Sequence, residues 1–98
     1  MKIVWDERKR LDTLKEHECD FRDSEKIFNG LEFTDEDVRF CYSERRYNTI
    51  GFIGDRIVKL TYCYECEVLR VISLRKATKR EIRQYARFLR ERGELGGI

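Results

Sequence analysis

The sequence contains no proline, one methionine, one tryptophan and one histidine. Its only amides are Asn29, Asn48 and Gln84. No stretch approaches the ~20 consecutive apolar residues of a membrane-spanning helix. No signal peptide precedes the first charged residues. These absences lead to the expectation of a cytoplasmic chain with no membrane partner and with its four cysteines mostly reduced. No linker and no internal repeat interrupts the 98 residues, so a single domain is expected, compact domains commonly running to ~50–200 residues. What the chain has in quantity is charge. Charged residues make up 41% of it, well above the roughly 25% usual in globular domains. The signs nearly cancel, with 21 Lys and Arg against 19 Asp and Glu. Any polyanion partner must therefore be read from where the cations lie, not from the total. Aromatic residues at 12%, with many Ile, Leu and Val, exclude a disordered chain. Few amides among many charges is also a composition that suits a thermophile.

Local chemistry predicts an order of strand, two helices, four strands and a helix. Lys2 to Trp5 reads as a short strand. Asp6 caps a helix running to about His17, with Leu11 and Leu14 as its apolar anchors. Asp20 is a second N-cap, and Phe21, Ser24, Ile27 and Phe28 give a helical stripe that Asn29-Gly30 ends. Val38, Phe40 and Tyr42 alternate as a strand would. Tyr47 to Ile53 follows, then a Gly54-Asp55 turn. Ile57 to Tyr64 and Val68 to Leu74 are the strongest strands and form a hairpin in central positions. Thr78 and Glu81 form the capping box of the last helix. Its apolar face is Ile82, Tyr85, Ala86 and Leu89, and its opposite flank carries Lys79, Arg80, Arg83, Arg87 and Arg90. The expected fold is α+β, with helices packed on an antiparallel sheet of about four to five strands, two helices N-terminal and one C-terminal. The domain spans residues 1–92, and residues 93–98 form a fraying tail.

Three features invite a functional reading. Cys63 and Cys66 form a C-x-x-C, but zinc needs four ligands. The other candidates, His17, Cys19 and Cys41, are scattered, and a redox motif belongs where a strand feeds a helix. A hairpin tip with two incidental thiols is the simpler account, so no metal and no cofactor are assigned. His17, the only histidine, is a candidate acid or base, although near a helix end it also serves as a favourable charge. The cations Arg45, Arg46, Arg70, Arg75 and Lys76, with those of the last helix, suit a polyanion, or else a solvated surface. Arg70 and Arg75 stand out because they flank Val71, Ile72 and Leu74, and a guanidinium drawn into a central strand needs a carboxylate or phosphate. Regular alternation puts the two on opposite faces; a bulge or the strand end would unite them. Such a cluster could serve metal-free RNA cleavage, in which a 2′-hydroxyl attacks the adjacent phosphate and arginine stabilises the added charge. The alternative is a non-catalytic nucleic-acid-binding module using the same basic face.

Four segments carry a resemblance. "VWDERK" is similar to the F-x-W-D-x-x-K opening of BrnT-type toxins, and "HECDFRDSEKIF" to their K-H-G-[VI]-x-F-x-x-A-x-x-[VI]-F segment. "ERRYNTIGFIGDRIVKLTY" resembles their E-x-R-[FY]-x-x-[IL]-G block. "LRVISLRKATKREIRQY" follows R-[IV]-I-S-A-R-[KR]-A-x-x-x-E-x-x-x-Y. Together they cover about residues 3 to 85. The resemblance implies a RelE-like fold and a ribonuclease toxin of a type II toxin–antitoxin pair that cleaves RNA without a metal. It also implies a BrnA-type ribbon-helix-helix antitoxin, through which the complex reaches operator DNA. The matching positions are His17, Arg46, Tyr62, Arg70, Ser73, Arg75, Lys76, Glu81 and Tyr85. On this basis Arg70, Arg75 and Lys76 are the candidate catalytic residues. Arg46, Tyr62, Arg80 and Arg83 are candidates for binding RNA, and His17 and Tyr85 for acid–base work, with Glu81 a capping residue. The family's K-H-G is Glu16-His17-Glu18 here, and Leu74 stands where the family has a small residue.

Overall fold

The computed structural model describes residues 2–38 and 44–92. Its elements are β1 (Lys2–Val4), α1 (Glu7–His17), a 3-10 helix (Phe21–Asn29), β2 (Phe33–Asp37), β3 (Arg46–Ile53), β4 (Arg56–Glu65), β5 (Val68–Lys76) and α2 (Lys79–Glu91). The five strands form one sheet in the order β1-β5-β4-β3-β2. β2 to β5 are an antiparallel meander. The sheet is mixed, because β1 adds to β5 in parallel, pairing Val4 with Arg70. That departs from the antiparallel expectation. A parallel neighbour needs a long connection, and the intervening helices and meander provide it.

The three helix starts follow from their caps. The Lys9 amide donates to Asp6 at 3.0 Å and the Arg22 amide to Asp20 at 2.9 Å. Thr78 and Glu81 complete a reciprocal capping box on α2. The second helix is of the 3-10 type, in which every third residue shares a face. Phe21, Ser24 and Ile27 are accordingly its buried residues. Among the described residues, no helix is long and apolar enough to cross a membrane.

Two expectations about local packing change. Leu11 and Leu14 do not anchor α1; they are 52% and 39% exposed. Arg10 is the buried residue of that helix. Its guanidinium donates to Glu7 at 2.8 and 2.6 Å and faces Asp20 at 3.3 Å, which satisfies a charge that could not be buried alone. β2 ends at Asp37, and of the strand expected at Val38, Phe40 and Tyr42 only Val38 is described; it is exposed and lies outside any strand. Phe40, Tyr42 and the expected tail at 93–98 lie outside the described residues.

The sheet has two unlike faces. α1 and the 3-10 helix cover one, over a core that includes Phe21, Ile27, Val58, Leu60, Leu69, Val71 and Leu74. On the other face, α2 covers only one end, where Tyr85 and Leu89 pack on Ile50. Glu81 meets β4 and β5 through Lys59 and Arg75, and Phe88 meets Phe33 of β2. α2 thus crosses the sheet and leaves the rest of that face without a helix among the described residues.

Candidate nucleic-acid interface

A bulge in β5 creates the polar face. Thr61 pairs with Ser73 but Tyr62 pairs with Val71, leaving Ile72 as an extra residue. The extra residue reverses the alternation. Leu69, Val71 and Leu74 therefore all reach the core, while Arg70, Ser73 and Arg75 turn to the opposite face. The bulge resolves the alternatives for the two arginines, since they share a face. Roughly 15 Å of strand separates them, at ~3.3 Å per residue, so they mark two ends of that face.

Cross-strand register fills the space between. Arg46, Cys63 and Arg70 form one row, and Asn48, Thr61 and Ser73 the next. Ile50, Lys59 and Arg75 form the third, beneath α2. Arg46 and Arg70 line a cavity of about 210 Å³ with Lys9 and Glu44. Arg46 donates to Glu44 at 3.1 Å, and Arg70 lies 3.6 Å from Glu65 on the surface. Cys63 is buried in the first row, and burial pushes its thiol pKa up. Cys66 is exposed at the hairpin turn, and Cys19, Cys63 and Cys66 are free thiols.

Arg75 has a structural partner that the sequence did not reveal. Its two terminal nitrogens donate to the two oxygens of Glu81 at 2.9 and 3.0 Å. Lys59 approaches the same carboxylate at 3.7 Å. Burial acts to raise the Glu81 pKa, but the Arg75 fork and the Thr78 amide outweigh it and hold the carboxyl at about 2. Glu81 therefore caps α2 and orients Arg75 at once.

β1 pairs with β5 only as far as Arg70, so the last turn of β5 is a sheet edge among the described residues. The C-terminal end of α1 lies against this edge. His17, Arg75, Lys76 and Thr78 line a cavity of about 380 Å³ there, with Glu16 and Glu18. Lys76 sits 3.8 Å from Glu18, both side chains exposed. His17, nominated as the lone histidine, is thus brought together with Arg75 and Lys76, nominated as adjacent cations.

The remaining nominees separate from these. Tyr62 is 3% exposed in the core, and its hydroxyl is 2.8 Å from that of Thr49. Burial leads the rise in its pKa. Tyr85 is also buried and donates to the Leu31 carbonyl at 2.7 Å. Both hydroxyls thus serve contacts within the fold. Arg80 and Arg83 are exposed on α2. At 100° per residue, Arg80 shares the flank of Gln84, which borders the polar face, whereas Arg83 points outward. Sequence reasoning missed Lys59, Thr61, Asn48 and Asp35 on the polar face. Only the cross-strand register, including the bulge, places them there.

Residues 5–81 match the family model described as the ribonuclease toxin, BrnT, of type II toxin–antitoxin systems. No curated protein matches the chain.

Proposed function

Because the chain belongs to the BrnT family of ribonuclease toxins of type II toxin–antitoxin systems, we propose that it cuts RNA without a metal at the open edge of β5. Family membership makes it a ribonuclease, with RNA as substrate and an antitoxin as partner. We take that antitoxin to be of the BrnA type, joining the toxin to operator DNA. The observation that carries the proposed site is the cavity shared by His17, Arg75 and Lys76.

In the proposed reaction a ribose 2′-hydroxyl attacks the neighbouring phosphorus and the bond to the 5′-oxygen breaks. The nucleophile belongs to the substrate, so no metal-bound hydroxide is required. One group accepts the 2′-hydroxyl proton and another gives a proton to the leaving oxygen; His17 is the residue of the cavity best suited to either step. Arg75 and Lys76 face the phosphate as its charge grows. Glu81 limits the wandering of the Arg75 fork, which favours a fixed geometry over a flexible one. Arg70 and Arg46 hold the RNA backbone further along the face, and Arg80 borders its path.

The test uses antitoxin-free protein, a short RNA and excess EDTA. Cleavage should persist and leave a 2′,3′-cyclic phosphate and a 5′-hydroxyl. Arg75→Ala should lower the rate by roughly 10²–10³, the usual cost of removing one group that stabilises transition-state charge. His17→Ala should slow cleavage by roughly 10²–10⁴, the usual contribution of a positioned acid or base. Cleavage abolished by EDTA and restored by a divalent ion would overturn the metal-free mechanism. Protein that binds RNA and never cuts it would return the chain to the class of nucleic-acid-binding modules.

A further inference from the structure

Beside the Arg75–Glu81 pair lies a crevice of about 110 Å³ between α2 and the sheet, lined by Phe33, Asp35, Asn48, Ile50, Lys59, Glu81 and Gln84. Its composition is odd for a surface that only holds phosphate. Phe33 and Ile50 are cross-strand neighbours and give it an apolar floor. Asp35 and Asn48 are the next cross-strand pair and give it a polar rim. Asp35 is exposed and has no hydrogen bond or ion pair among the described residues. A bare carboxylate on a phosphate track repels the ligand, unless it reads a donor that the ligand carries.

We propose that this crevice is a base-recognition subsite that selects guanine in the RNA substrate. Single-stranded RNA exposes the Watson–Crick edges of its bases to protein side chains. Guanine alone presents two adjacent donors there, the N1–H and the exocyclic amino group, and these match the two oxygens of one carboxylate. Asp35 supplies that carboxylate. The guanine O6 beside them is an acceptor and needs an N–H. Asn48 accepts the Thr61 hydroxyl at 2.7 Å through its carbonyl oxygen, which leaves its amide nitrogen to donate. Lys59 is a second donor on the same rim. Uracil offers one donor between two acceptors, while adenine and cytosine each set an acceptor beside their amino group. Each of these places a lone pair against Asp35, and a mismatch that the seated base cuts off from water is what rejects a wrong ligand. The apolar floor suits the flat face of a base.

The position fits the proposed phosphate site on which this inference rests. Asp35 on β2 and Arg75 on β5 are three strand spacings apart, roughly 14 Å at ~4.8 Å each. Lys59 lies between them, in register with Arg75. A nucleotide with its base at Asp35 therefore runs its backbone toward Arg75.

The experiment compares cleavage of short RNAs that differ at one base, with the cut mapped at nucleotide resolution. Cuts should fall at a fixed offset from guanine. Replacing that guanine by inosine, which lacks the exocyclic amino group, should slow cleavage about ten- to a hundred-fold, as loss of a bidentate base contact does. Asp35→Asn should abolish the preference between guanine and inosine, while Glu36→Gln, on the neighbouring residue facing the opposite side of the sheet, should leave the cut pattern intact. Cutting without regard to guanine, or an Asp35→Asn pattern identical to that of the wild type, would overturn the proposal. Failure here is seen in the sequence of the cut sites. Failure of the phosphate-site reading is seen as an unchanged rate in Arg75→Ala on every RNA.

Discussion

Glu18 closes α1 in the left-handed region, with φ 55° and ψ 31°, and its amide donates back to Leu14. It occupies the position at which the resembling motif has glycine. A side chain in this conformation costs ~1–2 kcal/mol, whereas glycine gives back ~0.4–1 kcal/mol through a freer unfolded chain. Glu18→Gly should therefore stabilise the protein by about 0.5 kcal/mol, read as a higher urea midpoint; a lower midpoint would mean that the Lys76 contact outweighs the backbone term. Glu81 gives a second residue-scale expectation. Its folded pKa of about 2 lies below the ordinary 4.5. Stability from this group is thus complete above about pH 4.5 and is lost as pH falls toward 2. Its side chain is only 17% exposed, but Arg75 is 34% exposed, so screening reduces the contribution to roughly 1–2 kcal/mol. Glu81→Gln should lower stability at neutral pH and flatten its decline between pH 4.5 and 2, as followed by denaturant titration at several pH values.

The bulge at Ile72 sets which way the side chains of β5 face. Deleting Ile72 would restore strict alternation and still keep Leu69, Val71 and Leu74 on the core side and Arg70, Ser73 and Arg75 on the polar side. The deletion should therefore leave the protein folded and able to cleave, with a denaturation midpoint lowered only by loss of the half-buried Ile72 side chain. A deletion variant that unfolds or no longer cleaves would mean that β5 requires the local twist of the bulge and not only the facing of its side chains. This element also marks how far the sequence could be read. The caps at Asp6, Asp20 and Thr78, and the strands either side of Gly54-Asp55, were legible because their signals are local. The position of the bulge was not, because it depends on which β4 residue faces which β5 residue. The three residues of β1 carry no mark of direction, so the parallel pairing was hidden too. Leu11 and Leu14 misled because an amphipathic spacing does not show which side of a short helix meets the core. Arg75 was correctly singled out as a guanidinium needing an anion, and its resident anion proved to be Glu81. Lys59 and Asp35 had no local signal; strand register alone places them on the polar face.

At the scale of the whole molecule, a net charge of +2 is too small to hold RNA by itself. Any electrostatic grip must come from cations gathered on one surface, which Arg46, Lys59, Arg70 and Arg75 form on the polar face of the sheet, the first and third in its open part and the other two at the margin of α2. That distinction can be measured. Each phosphate neutralised on single-stranded RNA adds about −0.7 to the slope of log K against log salt concentration. Four such contacts predict a slope of roughly −3, measured with an RNA carrying 2′-O-methyl groups so that it binds without being cut. Arg70→Gln should bring the slope nearer to zero by about 0.7 and weaken binding alike on all sequences. Arg22→Gln, which removes the same charge beside Asp20 on the helical side, should leave the slope unchanged. Equal slopes for wild type and Arg70→Gln, or equal effects of the two substitutions, would show that RNA is held by the overall charge or by another surface. A change confined to Arg70→Gln would locate the grip on the polar face, since both variants carry the same net charge and differ only in which side of the sheet lost a cation.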